Sequence, residues 1–72
     1  MSDECYRRLR DLGVSVETAD AVAPIVAELT PKKRAAFFLW VQGVPIREIV
    51  IETGTSVGGV YRMILRVKNN AR

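Results

Sequence analysis

Residues 43–68 read GVPIREIVIETGTSVGGVYRMILRVK and contain two short helical patterns on either side of a glycine. Pro45 suits the opening of the first helix, and Ser56 suits the N-cap of a second helix over about residues 57–69. Gly54 suits the turn, because a residue without Cβ adopts the left-handed conformation without strain. The apolar positions repeat at helical spacing: Ile46, Ile49 and Val50 in the first helix, then Val60, Met63 or Ile64, and Val67 in the second. This arrangement predicts a helix-turn-helix.

Helical patterns also fill the residues before this segment. Residues 3–12 predict a first helix, and Ser15 suits the N-cap of a second, in which Pro24 predicts either a kink or the start of a new helix. Thr30 followed by Pro31 predicts a helix over residues 31–42, since a hydroxyl cap precedes a proline at the first helical position. The apolar face of the first helix is predicted to hold Tyr6, Leu9 and Leu12, or Cys5, Leu9 and Leu12. The expected inward residues of the next helices are Val22, Ile25, Val26, Leu29, Ala35, Phe38 and Leu39, with Val41 or Gln42. We therefore expect an all-α bundle of four or five short helices.

The composition favours one small binding domain. The chain has 72 residues, of which 49% are hydrophobic, and it contains one cysteine and no histidine. Neither an internal disulfide nor a Cys/His metal site is expected, and a histidine-based catalytic dyad is excluded within one chain. Charged residues interrupt every apolar run, and the first residues do not resemble a secretory signal. We expect a cytoplasmic protein that is not an enzyme and has no cofactor, membrane contact or small-molecule ligand.

Charge is divided unevenly along the chain. Residues 1–30 hold three bases against six acids, a net of −3, whereas residues 31–72 hold eight bases against two acids, a net of +6. Residues 53–72 contain no acid. A surface of one sign attracts phosphate and steers its approach, so the second half predicts a polyanion partner. An ordinary solvated basic tail is the alternative explanation. We treat residues 1–72 as one helix-turn-helix domain, with an acidic part (1–30) and a basic DNA-binding part (31–72).

Residues 29–68 resemble two kinds of transcription protein. The first resemblance is to the helix-turn-helix of small plasmid repressors of the KorA (TrfB) kind, through Gly43 and Pro45, Gly54, Gly58 and Val60, and Arg66-Val67. The second is to region four of bacterial sigma factors, through Leu29, Pro31, Arg34, Phe38-Leu39, Gly43, Glu48-Ile49 and Ser56-Val57-Gly58-x-Val60. Two positions depart from the usual helix-turn-helix pattern: Thr53 stands where a larger aliphatic residue is usual, and Val50 stands where alanine is commoner. The chain shows no domain for core polymerase or promoter melting, so the resemblance implies a stand-alone transcriptional regulator, a repressor, rather than a sigma factor.

The side of the last helix opposite its apolar stripe is expected to enter the major groove of double-stranded DNA. The predicted base contacts are Val57, Gly58, Tyr61 and Arg62. Arg62 suits guanine because its fork matches two acceptors, Val57 suits a thymine methyl group, and Tyr61 suits a phosphate or a base edge. The predicted phosphate contacts are Thr55, Ser56, Arg47, Arg66, Lys68, Lys32, Lys33 and Arg34. Adjacent glycines at 58 and 59 lower helix stability by roughly 1 kcal/mol each relative to alanine, which close approach to DNA would explain.

Purely structural roles are the alternatives for several of these residues. Arg66 and Lys68 near a helix end suit the helix dipole, and Tyr61 is equally explained as a surface aromatic. Cys5 is expected to be a packed apolar residue rather than a reactive thiol. Trp40 and Phe37 are expected in the core or at a dimer contact rather than as platforms for stacked bases.

The amount of apolar surface predicts a homodimer. A core of this size is marginal, and the five consecutive large apolar residues 37–41 cannot all face one core. A two-fold dimer would cover the excess through Val22, Ile25, Val26, Phe37 and Trp40, and would place two recognition helices about 34 Å apart on a palindromic operator. The alternative function is a small protein-interaction module that binds RNA polymerase or another regulator through Trp40, Phe37 and the acidic helices.

Overall fold

Five helices make up the part of the chain that the computed structural model describes, residues 3–70. They are α1 (Asp3–Asp11), α2 (Val16–Ala27), α3 (Pro31–Val41), α4 (Ile46–Thr53) and α5 (Val57–Asn70). The prediction of an all-α bundle of four or five short helices is confirmed. Within the described residues, no helix has the length and apolar character needed to cross a membrane.

The helix boundaries follow the capping residues in the sequence. The Ser15 hydroxyl accepts a hydrogen bond from the backbone N–H of Thr18 at 3.3 Å, which begins α2. The Thr30 hydroxyl accepts from the N–H of Lys33 at 3.4 Å, which begins α3. Gly54 ends α4 in the left-handed conformation, with φ at +71°. These three boundaries agree with the predictions, because each depends on residues within one helical turn.

Pro24 lies inside α2, which continues from Val16 to Ala27 as one helix. The predicted alternative of a new helix starting at Pro24 is wrong. Proline removes one backbone hydrogen bond from a helix interior. Burial of Ala23 and Val26 on either side of it keeps the same face of α2 against the core.

The helix α3 is the central element of the core and contacts α2, α4 and α5. Its buried residues are Ala36, Phe37 and Phe38, whereas Ala35 is exposed, so the prediction that Ala35 faces inward is wrong. Neighbours on several sides accommodate both phenylalanines, whose rings meet edge to face at 5.9 Å. Leu39, Trp40 and Val41 are half-buried against the same core. One helix surrounded by partners thus buries more of residues 37–41 than a helix with a single inward face would.

Three of the five residues predicted to contact a second copy are buried inside the protomer. Val22, Val26 and Phe37 retain 6%, 0% and 3% of their exposure, so their side chains offer little surface to another chain. The fully buried Val26 is corrected as a dimer contact, whereas Val22 and Phe37 line an apolar groove that is open at the surface, and their contact with a second copy stays a prediction. Most of the apolar surface that the sequence predicted to be in excess is buried inside the protomer, because other helices pack against α3 on several sides. Ile25 and Trp40 are half-buried and keep some exposed surface.

Candidate nucleic-acid interface

The helices α4 and α5 form a helix-turn-helix in which one face of α5 is held against the rest of the domain. Ile49 of α4 and Val60 of α5 are fully buried. The buried positions of α5 are Val60, Met63, Ile64 and Val67, as the sequence pattern predicts. Tyr61 and Arg62 consequently lie on the outward side of the helix, and both are exposed.

Hydroxyl groups fix the turn between the two helices. Thr53 Oγ1 lies 2.7 Å from the Ile49 carbonyl oxygen, to which it donates, and 2.9 Å from Thr55 Oγ1. The N–H of Gly54 donates to the Val50 carbonyl at 2.9 Å. A half-buried threonine can stand where an aliphatic residue is usual because its hydroxyl satisfies the last turn of α4. Since the Thr53 proton goes to Ile49, the Thr55 hydroxyl is the donor to Thr53.

At the N-terminus of α5, some backbone N–H groups are hydrogen-bonded to Ser56 and others have no acceptor within the helix. Ser56 accepts from Gly59 N–H through its hydroxyl and from Val60 N–H through its carbonyl, both at 3.0 Å. The N–H groups of Val57 and Gly58 have no acceptor within their own helix, because they lie in its first turn. Unpaired N–H groups and the positive end of the helix dipole together suit a phosphate. Ser56 is exposed and can donate its hydroxyl proton to the same anion.

The two adjacent glycines of α5 have different surroundings. A Cβ added at Gly58 would find only the Arg62 guanidinium, with Nη2 at 3.9 Å. A Cβ added at Gly59 would lie 3.1 Å from both Ser56 Oγ and Thr55 Cγ2, closer than ordinary van der Waals contact. Packing within the protomer therefore favours a glycine at 59, where a methyl group would have to displace its neighbours slightly, and gives no such reason at 58.

Most of the predicted phosphate-contacting cations are available on the surface. Arg47, Lys68 and Lys32 are exposed, and Lys33 is half-buried. Lys32 Nζ lies beside the helix-turn-helix turn, 3.8 Å from where a Cβ of Gly54 would stand, so the start of α3 adds positive charge to the turn. Arg66 is exposed and lies 4.0 Å from Glu28, an open ion pair that contributes little to stability.

Arg34 has a structural role that the sequence did not reveal. Its Nη2 donates to the carbonyl oxygens of Ala27 and Leu29, at 3.1 and 3.2 Å. These carbonyls belong to the end of α2 and the residues that follow it, where no intrahelical donor remains. The side chain is partly buried in this position. The Nη2 atom of Arg34 thus holds the end of α2 against α3, and the predicted phosphate contact at Arg34 stays a prediction.

Two exposed apolar side chains near the predicted interface were not singled out from the sequence. Leu65 lies four residues, about one helical turn, after Tyr61 and on the same outward side of α5. Ile51, on the outward side of α4, is 80% exposed. The signal for Leu65 was present, because it lies at i+4 from Tyr61 and i+8 from Val57.

Comparison with known proteins supports one of the two resemblances. The model of the family described as Sigma-70, region 4 matches residues 19–70. The search of curated proteins and the search of solved structures each found no match. The family match does not test the resemblance to the KorA repressors, and that resemblance remains a prediction. The match covers α3, α4 and α5 together with most of α2, so the chain belongs to the sigma-70 region 4 family, whose domain is a helix-turn-helix that binds DNA in transcription.

Proposed function

We propose that this protein is a sequence-specific regulator of transcription that inserts α5 into the major groove of double-stranded DNA. The observation that carries the proposal is the orientation of α5. Its apolar stripe is locked against the core, while Val57, Gly58, Tyr61 and Arg62 face outward from a segment without acidic residues. A recognition helix of a helix-turn-helix needs this division between a held face and a free face.

Specific and non-specific contacts divide between two groups of residues. Arg62 is the proposed reader of a guanine, since bidentate contact with two acceptors discriminates by about 1–3 kcal/mol. The exposed cations Arg47, Lys32 and Lys68 are the proposed phosphate contacts, together with Ser56 and the free N–H groups that start α5. Phosphate contacts set the register of the protein on the duplex without reading its sequence.

A two-fold homodimer on a palindromic operator is the proposed binding form. The protomer is 29 Å in its longest dimension, so two copies side by side can present recognition helices about 34 Å apart, one duplex turn. The surface that best suits the contact is an apolar groove of about 570 Å³ between α1, α2, α3 and α5. Its half-buried lining residues are Val14, Trp40 and Val41. Repression is the proposed outcome, because a dimer bound in the major groove of promoter DNA excludes other proteins from the same base pairs.

Titration of binding against salt tests the proposal. A dimer that neutralises about six to eight phosphates gives a slope of log affinity on log salt near −5 to −7. Arg62→Ala should weaken discrimination at one base pair, and Lys68→Ala should weaken binding to all sequences about equally. The duplex for these measurements is selected from a random library with the purified protein. An affinity that does not change between low and physiological salt would exclude this function.

A further inference from the structure

Three large apolar side chains project from the outward side of α5. Val57, Tyr61 and Leu65 are 49%, 54% and 56% exposed. They are four residues apart, so they follow one another at about 6 Å along the helix axis and lie within an arc of about 80°. We call these three residues the apolar ridge. The ridge is separate from the stripe that α5 buries against the core, which leaves its partner outside the protomer.

The surroundings of the ridge identify the chemistry of that partner. Arg62 and Arg66 follow Tyr61 and Leu65 directly and are exposed beside the ridge, in a segment that contains no acid. Glu28 lies 4.0 Å from Arg66 in an open pair, so both guanidinium groups can still meet an anion, and a partner that is anionic and also offers apolar groups fits this arrangement best. In the major groove of DNA, the apolar group that distinguishes one base from another is the C5-methyl of thymine.

From this we propose that the apolar ridge reads thymine methyl groups, with Leu65 as a base-reading residue beyond those that face the groove earlier in the helix. This inference rests on the proposed function and adds the chemical class of the site. The ridge spans about 12 Å from Val57 to Leu65, and base pairs rise by about 3.4 Å. The thymines it contacts therefore lie within about four consecutive base pairs, the window that also holds the guanine read by Arg62.

Uracil substitution tests the proposal, because deoxyuridine pairs with adenine as thymine does and lacks only the methyl group. The probe is a duplex selected from a random library by the purified protein, remade with each thymine replaced by deoxyuridine in turn. Loss of one buried methyl should weaken binding about fourfold (~0.8 kcal/mol at 1.4 kcal/mol per factor of ten). We expect this loss at two or three positions within a window of about four base pairs in each half-site, and no loss at thymines elsewhere.

A cycle that combines protein and DNA changes assigns one methyl to Leu65. Leu65→Ala should weaken binding to the thymine duplex, and deoxyuridine at the position that Leu65 contacts should then cause no further loss. The matched control is Ile51→Ala, which removes a more exposed aliphatic side chain from α4 and should keep the whole pattern of uracil effects. Circular dichroism of both variants checks that the helices are intact.

The outcomes separate this inference from the function on which it rests. Equal affinity for thymine and uracil duplexes, with salt-dependent binding retained, would overturn methyl reading and leave the DNA-binding proposal standing. A Leu65→Ala protein with all uracil effects unchanged would overturn the role of Leu65. Failure to bind any duplex at low salt would overturn both proposals.

Discussion

Replacement of Gly58 by alanine should make the protein more stable and weaken its binding to DNA. Gly58 has a helical backbone, and a methyl group there would meet only Arg62 Nη2 at 3.9 Å, an ordinary contact. Alanine in place of glycine in the middle of a helix stabilises by about 0.5–1 kcal/mol, and Gly58, in the first turn of α5, should gain up to that amount. For a domain of this size a gain of about 1 kcal/mol raises the Tm by about 4–8 °C, which is the upper limit expected here. The fold alone thus gives no reason for a glycine at this position.

The loss of binding follows from the position of Gly58 on the outward side of the first turn of α5. If that turn approaches base edges and phosphates as closely as proposed, the added methyl must displace the helix from the groove. Forcing a methyl group into a packed contact costs about 1–3 kcal/mol, which is about five- to 150-fold in Kd. A stabilised protein that binds less well separates the interface from the fold, since damage to the fold would lower both quantities.

Gly59→Ala is the matched control, one residue further along the same helix. Its methyl would crowd Ser56 Oγ and Thr55 Cγ2 at 3.1 Å and disturb the cap in which Ser56 accepts from Gly59 N–H. Loss of such a cap costs about 0.5–2 kcal/mol and offsets the gain in helix propensity, so this variant should not be stabilised.

Two measurements decide the comparison. Thermal unfolding by circular dichroism gives the stability of both variants, and fluorescence anisotropy with the selected duplex gives their Kd. Undiminished affinity of Gly58→Ala for the duplex would refute the close approach of α5 to DNA. A Gly58→Ala protein that unfolds at a lower temperature than the natural chain would refute the open surroundings on which the reasoning depends.

Other changes test the turn, the link between α2 and α3, and the dimer. Arg34→Met should lower the free energy of unfolding by about 1.5–3 kcal/mol, because two charge-assisted hydrogen bonds are lost, and should leave the salt slope of DNA binding unchanged. A shallower slope would show that Arg34 contacts phosphate as well. Thr53→Val should cost about 1 kcal/mol in urea unfolding and Thr53→Ser much less, unless the hydroxyl contributes nothing to the turn. Trp40 is the single tryptophan, so its fluorescence reports on the proposed dimer contact. As the protein concentration is raised and the dimer forms, the emission maximum should shift to shorter wavelength, because the half-buried indole loses contact with water. A constant spectrum through an association seen by sedimentation would move the interface away from the groove.

The helix boundaries could be predicted because their causes are local. Ser15 and Thr30 accept hydrogen bonds from residues three positions ahead, and Gly54 provides a backbone conformation that other residues avoid. The outward side of α5 was predictable for a similar reason, since a helix that buries Val60 and Val67 must turn Arg62 away from the core.

Features that depend on distant parts of the chain could not be predicted in this way. Arg34 is one of three consecutive cations in sequence, and only the position of the α2 carbonyls distinguishes it from Lys32 and Lys33. From the sequence, Phe37 and Val22 were interpreted as excess apolar surface. The spacing of apolar residues in α3 does not indicate how many other helices pack around it. A pattern of spacing gives the faces of each helix, and packing alone determines how many of those faces are covered.

The helix α1 illustrates why the domain extends beyond the segment proposed to bind DNA. The family match begins at Ala19, yet Leu9 and Cys5 of α1 are buried, and the Arg8 guanidinium lies 4.1 Å from the centre of the Phe38 ring. These contacts cover α2 and one side of α3, the helix on which α4 and α5 are mounted. The acidic part, for which no phosphate contact is proposed, therefore supports the proposed recognition through stability. It completes the core against which the stripe of α5 is buried, and that burial turns the cationic side of α5 outward.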